Sequence, residues 1–128
     1  MFKKIAEYKW LLSGSVGLLL FAAILFSPKI SLEKRLLQSG KKHQASREPR
    51  DAIEDYKRAV SYAPESNAGL EAARLGGGLS LYELKNYEDA VYFFRHIVRH
   101  GQKQNEIRWA QEKLAEIYYE KLKFIKVN

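Results

Sequence analysis

No charged residue occurs between Trp10 and Pro28. As a helix, these 19 residues would be about 28 Å long, close to the roughly 30 Å hydrocarbon core of a bilayer. Tyr8 and Trp10 stand at its start, where amphipathic rings favour the membrane–water interface. A secretory signal has a shorter apolar stretch, of about 7–15 residues, and ends in a small-x-small cleavage site. Here the run is longer and ends Phe26-Ser27-Pro28-Lys29, so an uncleaved transmembrane anchor is expected. Ser13 and Gly17 lie four apart within it. Such a pair lets another membrane helix approach closely, although small residues are also simply common in membrane helices.

Charge sorts around this run. The net charge is +7, yet Lys29 to Arg50 alone carries +5, the first nine residues carry +2, and the chain from Asp51 onward is balanced. A nucleic-acid binder concentrates its excess on a face of the folded domain, so that class is not expected. Basic flanks fit either attraction to anionic headgroups or a solvated collar that snorkels beside the anchor. The chain therefore divides into a short basic tail (1–9), an anchor (10–28) and a domain (29–128). Long domains translocate largely regardless of charge. The expected arrangement is a bacterial inner membrane protein with its N-terminus cytoplasmic and its domain periplasmic. The absence of cysteine excludes disulfides, thiolate metal sites and thiol nucleophiles.

Past the anchor the apolar positions recur at helical spacing, and proline and glycine divide the region. Helices are expected from about 31 to 44, 49 to 62, 67 to 84, 87 to 100 and 105 to 124. Pro49 suits a first helical turn, and Ala63-Pro64 ends the second helix because the residue before proline avoids the α region. Asn67 is a candidate N-cap. Arg95, His96, Arg99 and His100 place positive charge at the negative end of the fourth helix, and Gly101 is a candidate left-handed cap.

The pattern repeats. Ala52, Tyr56, Ala59 and Pro64 in and after the second helix are answered by Ala90, Phe94 and Ile97 in the fourth; Gly40 stands twelve residues before Ala52 and Gly78 twelve before Ala90. This resembles the tetratricopeptide repeat, a helix–turn–helix unit of about 34 residues with small, aromatic and proline signature positions. Residues 33–66 make one unit and 67–103 a second whose first helix is one turn longer. The last helix, with Leu114-Ala115 and Tyr118-Tyr119, resembles the opening of a third. The expected fold class is all-α: a transmembrane helix followed by a short α-solenoid of about two and a half repeats. In it the small residues admit close helix contacts and Tyr56 and Phe94 fill the gaps between helices.

No catalytic constellation stands out, and no enzyme activity or cofactor is expected. His96 and His100 have metal-ligand spacing but lack a third ligand at helical spacing, and His43 is isolated in sequence, so no metal centre is expected. Gly76-Gly77-Gly78 lacks the strand and the Lys-Ser/Thr of a phosphate loop; close packing of another helix is the reason expected for it.

In the tetratricopeptide family the first helix of each repeat lines a groove for a peptide or a partner helix. Carried over by register, the resemblance implies a groove of Leu37, Lys41 and Gln44, then Leu75, Leu79 and Tyr82, then Trp109, Glu112, Glu116 and Tyr119. Of the family's carboxylate-clamp positions only Lys41 and Lys113 are matched, which argues against a clamp for chain termini. The implied function is a membrane-anchored adaptor, an accessory or scaffolding subunit of a larger membrane complex. Its partners would be other protein subunits, integral membrane proteins among them, together with the lipid bilayer, and not a nucleic acid or a small-molecule substrate. The alternative is a periplasmic chaperone-like protein that binds newly translocated or unfolded chains.

Overall fold

The computed structural model describes residues 30–127, with side chains as far as Lys121. The apolar segment 10–28, with Ser13 and Gly17, lies outside the described residues. Among the described residues no helix is long and apolar enough to cross a membrane. They are all helical: α1 (Leu32–Ala45), α2 (Pro49–Tyr62), α3 (Asn67–Gly78, continued by a π-helical turn Leu79–Glu83), α4 (Tyr87–His100) and α5 (Gln104–Val127). Connections of three or four residues leave each helix no option but to fold back on its predecessor.

Helix ends follow local chemistry, not always at the residues anticipated. Ser66, rather than Asn67, caps α3: its Oγ accepts from Gly69 N–H at 2.9 Å and donates to the Ala63 carbonyl at 2.8 Å. Asn86 caps α4 by accepting from Asp89 N–H at 3.2 Å. Gly101 has extended backbone (φ −60°, ψ 140°), not a left-handed conformation. The left-handed residues are instead Arg47 (φ 59°) and Lys85 (φ 49°). At the end of α1, Arg47 N–H donates to the Gln44 carbonyl at 3.2 Å and Glu48 N–H to the His43 carbonyl at 2.8 Å, the paired bonds of a Schellman cap. Lys85 holds the same place after α3, where Asn86 N–H reaches the Ser80 carbonyl at 2.9 Å.

The packing is solenoid-like. Each helix packs on its neighbours in sequence, and α1 also packs on α3. Ion pairs sort the helices into two layers. Lys41–Glu71 (2.9 Å) ties α1 to α3 and Arg74–Glu106 (3.1 Å) ties α3 to α5, while Lys57–Asp89 ties α2 to α4. Between the layers lie Ala52, Tyr56, Ala59, Ala72, Ala73, Ala90, Phe93, Phe94 and Ala110, all fully buried. Alanine and glycine keep the backbones close, and aromatic rings fill what remains.

The two hairpins use the same device. A Cβ at Gly40 would strike the Tyr56 ring, and one at Gly77 would lie 2.7 Å from Phe94 Cε1. Gly40 precedes Tyr56 by 16 residues, Gly77 precedes Phe94 by 17. The extra residue is absorbed by the π-helical turn, where Leu84 N–H bonds to the Leu79 carbonyl at 3.1 Å, five residues back instead of four. The neighbouring pair differs in chemistry: Ser39 Oγ–H donates to Asp55 Oδ2 at 2.6 Å in the first hairpin, and Gly76 lies under Phe93 in the second, where a Cβ would be 2.5 Å from the ring. Gly78 does not fit the close-packing role assigned to it from sequence, because a Cβ there would meet nothing within 4 Å. Its place is taken by Gly77.

Among the described side chains of α5, Ala110 and Ile117 are buried. Leu114 packs half-buried against the core, whereas Ala115, Tyr118 and Tyr119 are exposed, so of the four residues that suggested a repeat opening only Leu114 faces inward.

Candidate partner-binding face

Helices α1, α3 and α5 present the face on which a groove was anticipated. The structure divides the residues expected to line it. Leu37 and Leu79 are 7% and 3% exposed and belong to the core. They face inward because the neighbouring helices cover those sides of α1 and α3, and they offer a partner nothing. Leu75 is half-buried against the same core, as is Trp109, whose indole meets Phe94 edge to face at a centroid distance of 5.3 Å. Gln44 is half-buried and its Oε1 accepts from the Tyr56 hydroxyl at 2.7 Å. Lys41, Tyr82, Glu112, Glu116 and Tyr119 are at the surface.

The surface residues form a short array. Tyr82 stands at the π-helical turn with 58% of its area exposed. The Lys113 ammonium sits 5.2 Å from its ring centroid and 3.4 Å from Glu116 Oε2. The Tyr82 side chain, and then Glu116, hold the Lys113 pKa above its ordinary value. A cation over an aromatic face contributes about 0.5–1 kcal/mol when exposed, enough to orient both side chains. Gly78, one turn before Tyr82, leaves the helix surface beside it bare. At the far end Lys41 is paired with Glu71 at 2.9 Å. Glu112, Glu116 and Glu120 remain exposed along α5, giving that end an acidic edge.

The other features are polar. A cleft of about 210 Å³ between the start of α3 and the α4–α5 turn is lined by Asn67, Leu70, Glu71, Arg74, Gln102, Lys103 and Glu106. Three of its charges, Glu71, Arg74 and Glu106, are already paired across helices, unlike the apolar pockets that enclose small ligands.

The histidines have defined partners. His96 Nε2–H donates to the Pro64 carbonyl at 2.8 Å, an acceptor that fixes the proton on that nitrogen. Burial is the main cause of its lowered pKa; His100 and Arg99 push the same way and the Pro64 hydrogen bond opposes them. The rings of His96 and His100 lie 4.6 Å apart, and His100 Nδ1 is 4.0 Å from Glu65. His43, isolated in sequence, is not isolated in the fold: its Nδ1 lies 2.8 Å from Glu48 Oε2 and its Nε2 3.6 Å from Asp55 Oδ2. Tyr56 is pushed up to about 12, chiefly by burial and then by the Glu71 and Asp55 carboxylates, so its hydroxyl stays protonated and serves as a donor in the core.

No protein-family model, no curated protein and no solved structure matches this chain.

Proposed function

We propose that the chain is a membrane-anchored adaptor of tetratricopeptide type: the apolar segment 10–28 holds it in a bacterial inner membrane, and the α1–α3–α5 face binds another protein subunit of a membrane complex. The observation that carries this reading is the exposed ring of Tyr82 with Lys113 set over it, beside the bare surface at Gly78 and the acidic edge of α5. An aromatic anchor inside a polar rim is the usual make-up of a binding hot spot. Three further observations support it. The two hairpins share a glycine-on-ring contact, the helices alternate between two layers, and the excess positive charge is confined to the flanks of the apolar segment. The assignment includes no reaction and no cofactor. The membrane segment, a cytoplasmic N-terminus and a periplasmic domain are part of the same proposal.

Gentle detergent extraction of the tagged full-length chain, followed by mass spectrometry of what stays bound, tests it. One membrane complex recovered in fixed ratio is the expected result. A diffuse set of substoichiometric segments would replace the adaptor with the chaperone-like alternative.

A further inference from the structure

The turn between α1 and α2 gathers a cluster of side chains that the partner-binding face does not use. The left-handed Arg47 reverses the chain and brings Glu48 back over the last turn of α1, where its Oε2 lies 2.8 Å from His43 Nδ1. Asp51, in the first turn of α2, completes the group: one ligand atom from each of His43, Glu48 and Asp51 lies within 4.8 Å of the others. On the far side of the imidazole, Nε2 faces Asp55 Oδ2 at 3.6 Å. Asp55 is only 8% exposed and is itself held by Ser39 Oγ–H at 2.6 Å.

We propose that His43, Glu48 and Asp51 form a binding site for a zinc-class divalent cation, with Asp55 as the positioning residue for the imidazole. Three things point to this class of ligand. One imidazole nitrogen with two carboxylates suits Zn²⁺, whereas Mg²⁺ and Ca²⁺ take oxygen ligands alone. A tetrahedral ion at about 2.1 Å from each donor needs donors about 3.4 Å apart; the two carboxylates are exposed, so they have room to close from their present spacing. Lastly, a ligating imidazole almost always donates its second N–H to a carboxylate, a backbone carbonyl or water, and here a buried, hydrogen-bonded carboxylate faces that nitrogen. On binding, the ion takes the lone pair of Nδ1 in the neutral imidazole, whose single proton then sits on Nε2, facing Asp55. The bound ion would fasten the end of α1 to the start of α2.

The test is calorimetric titration of ZnCl₂ into the metal-free full-length chain in detergent micelles, without a histidine tag. One ion per chain with micromolar affinity is expected. Asp55→Asn is expected to weaken binding about tenfold, and His43→Ala more than that. Glu48→Gln and Asp51→Asn, both at exposed positions that leave the helix ends intact, are expected to weaken it as well, and they keep the test valid if His43→Ala unfolds. His96→Ala is expected to bind as the unaltered chain does. Absence of saturable Zn²⁺ binding, unaltered binding by the Glu48 and Asp51 variants, or loss confined to His96→Ala would overturn the proposal.

Discussion

Gly77 lies so close against the ring of Phe94 that a methyl group on its α-carbon would come within 2.7 Å of Cε1. Gly78, the next residue, has nothing within 4 Å of the same position. The two glycines therefore answer opposite demands, and alanine substitution separates them. Gly77→Ala must displace a fully buried ring and is expected to cost about 1–3 kcal/mol. Gly40→Ala, against Tyr56, is expected to behave alike. Gly78→Ala adds a methyl group to an open helix surface and removes backbone freedom from the unfolded chain, so it is expected to stabilise by about 0.5–1 kcal/mol. Urea unfolding of the three variants checks the signs. Equal losses at Gly77 and Gly78 would mean that the register through the π-helical turn is misplaced.

Arg47 and Lys85 each close a helix in a left-handed conformation that costs an L-residue about 1–2 kcal/mol and glycine almost nothing. Both side chains are exposed, so replacement removes no packing. Arg47→Gly and Lys85→Gly are each expected to stabilise the domain, by up to about 1 kcal/mol after the extra flexibility of glycine in the unfolded chain is offset. Thermal melts of the two variants provide the check; a lower Tm for either would show that the residue is not left-handed.

Burial lowers the His96 pKa in the folded chain below the unfolded value of about 6.5. At pH above 6.5 both states are neutral at this site and the contribution is complete. As pH falls below about 6.5, the unfolded chain takes up the proton first and stability is lost until the folded pKa is passed. The expected outcome is a Tm that falls between pH 7.5 and 5.5, with a shallower slope in His96→Gln than in the unaltered chain. Equal slopes would contradict the buried, neutral imidazole bonded to Pro64.

Most of the helical framework was legible in the sequence because its causes are local. Pro49, Pro64 and the 3.6-residue spacing of apolar residues mark helix limits wherever they fall, and α2 and α4 have the limits they imply. What the sequence concealed depends on neighbours. Arg47 and Lys85 carry no sign of left-handed backbone, because the hydrogen bonds that close the chain around them, a Schellman pair at Arg47 and Asn86 N–H to the Ser80 carbonyl beside Lys85, exist only once the chain has turned. The spacing of 38 residues between Ala52 and Ala90 implies a longer unit but not its form as a π-helical turn, and so it points to Gly78 where Gly77 does the packing. Leu37 and Leu79 share helix faces with Lys41 and Tyr82 closely enough that periodicity alone did not say which would be covered. His43, Glu48, Asp51 and Asp55 lie within one short stretch of sequence, but the left-handed turn at Arg47 that folds His43 against the other three shows only in the fold.

Trp109 and Tyr82 were equivalent candidates for the binding face until the fold separated them. Trp109→Ala removes a ring that packs on Phe94 and is expected to cost about 2 kcal/mol or more of stability, so its effect on a partner would be confounded. Tyr82→Ala removes a mostly exposed ring and is expected to leave the helical circular dichroism and Tm nearly unchanged.

The most direct test of the adaptor assignment is quantitative mass spectrometry of material co-purified in detergent with the full-length chain and, in parallel, with Tyr82→Ala. The account predicts one stoichiometric membrane-protein partner with the unaltered chain and at least a tenfold loss of it, on the order of 1.4 kcal/mol or more, with the variant. Equal recovery of that partner with a folded Tyr82→Ala chain, or no stoichiometric partner with either, would contradict it.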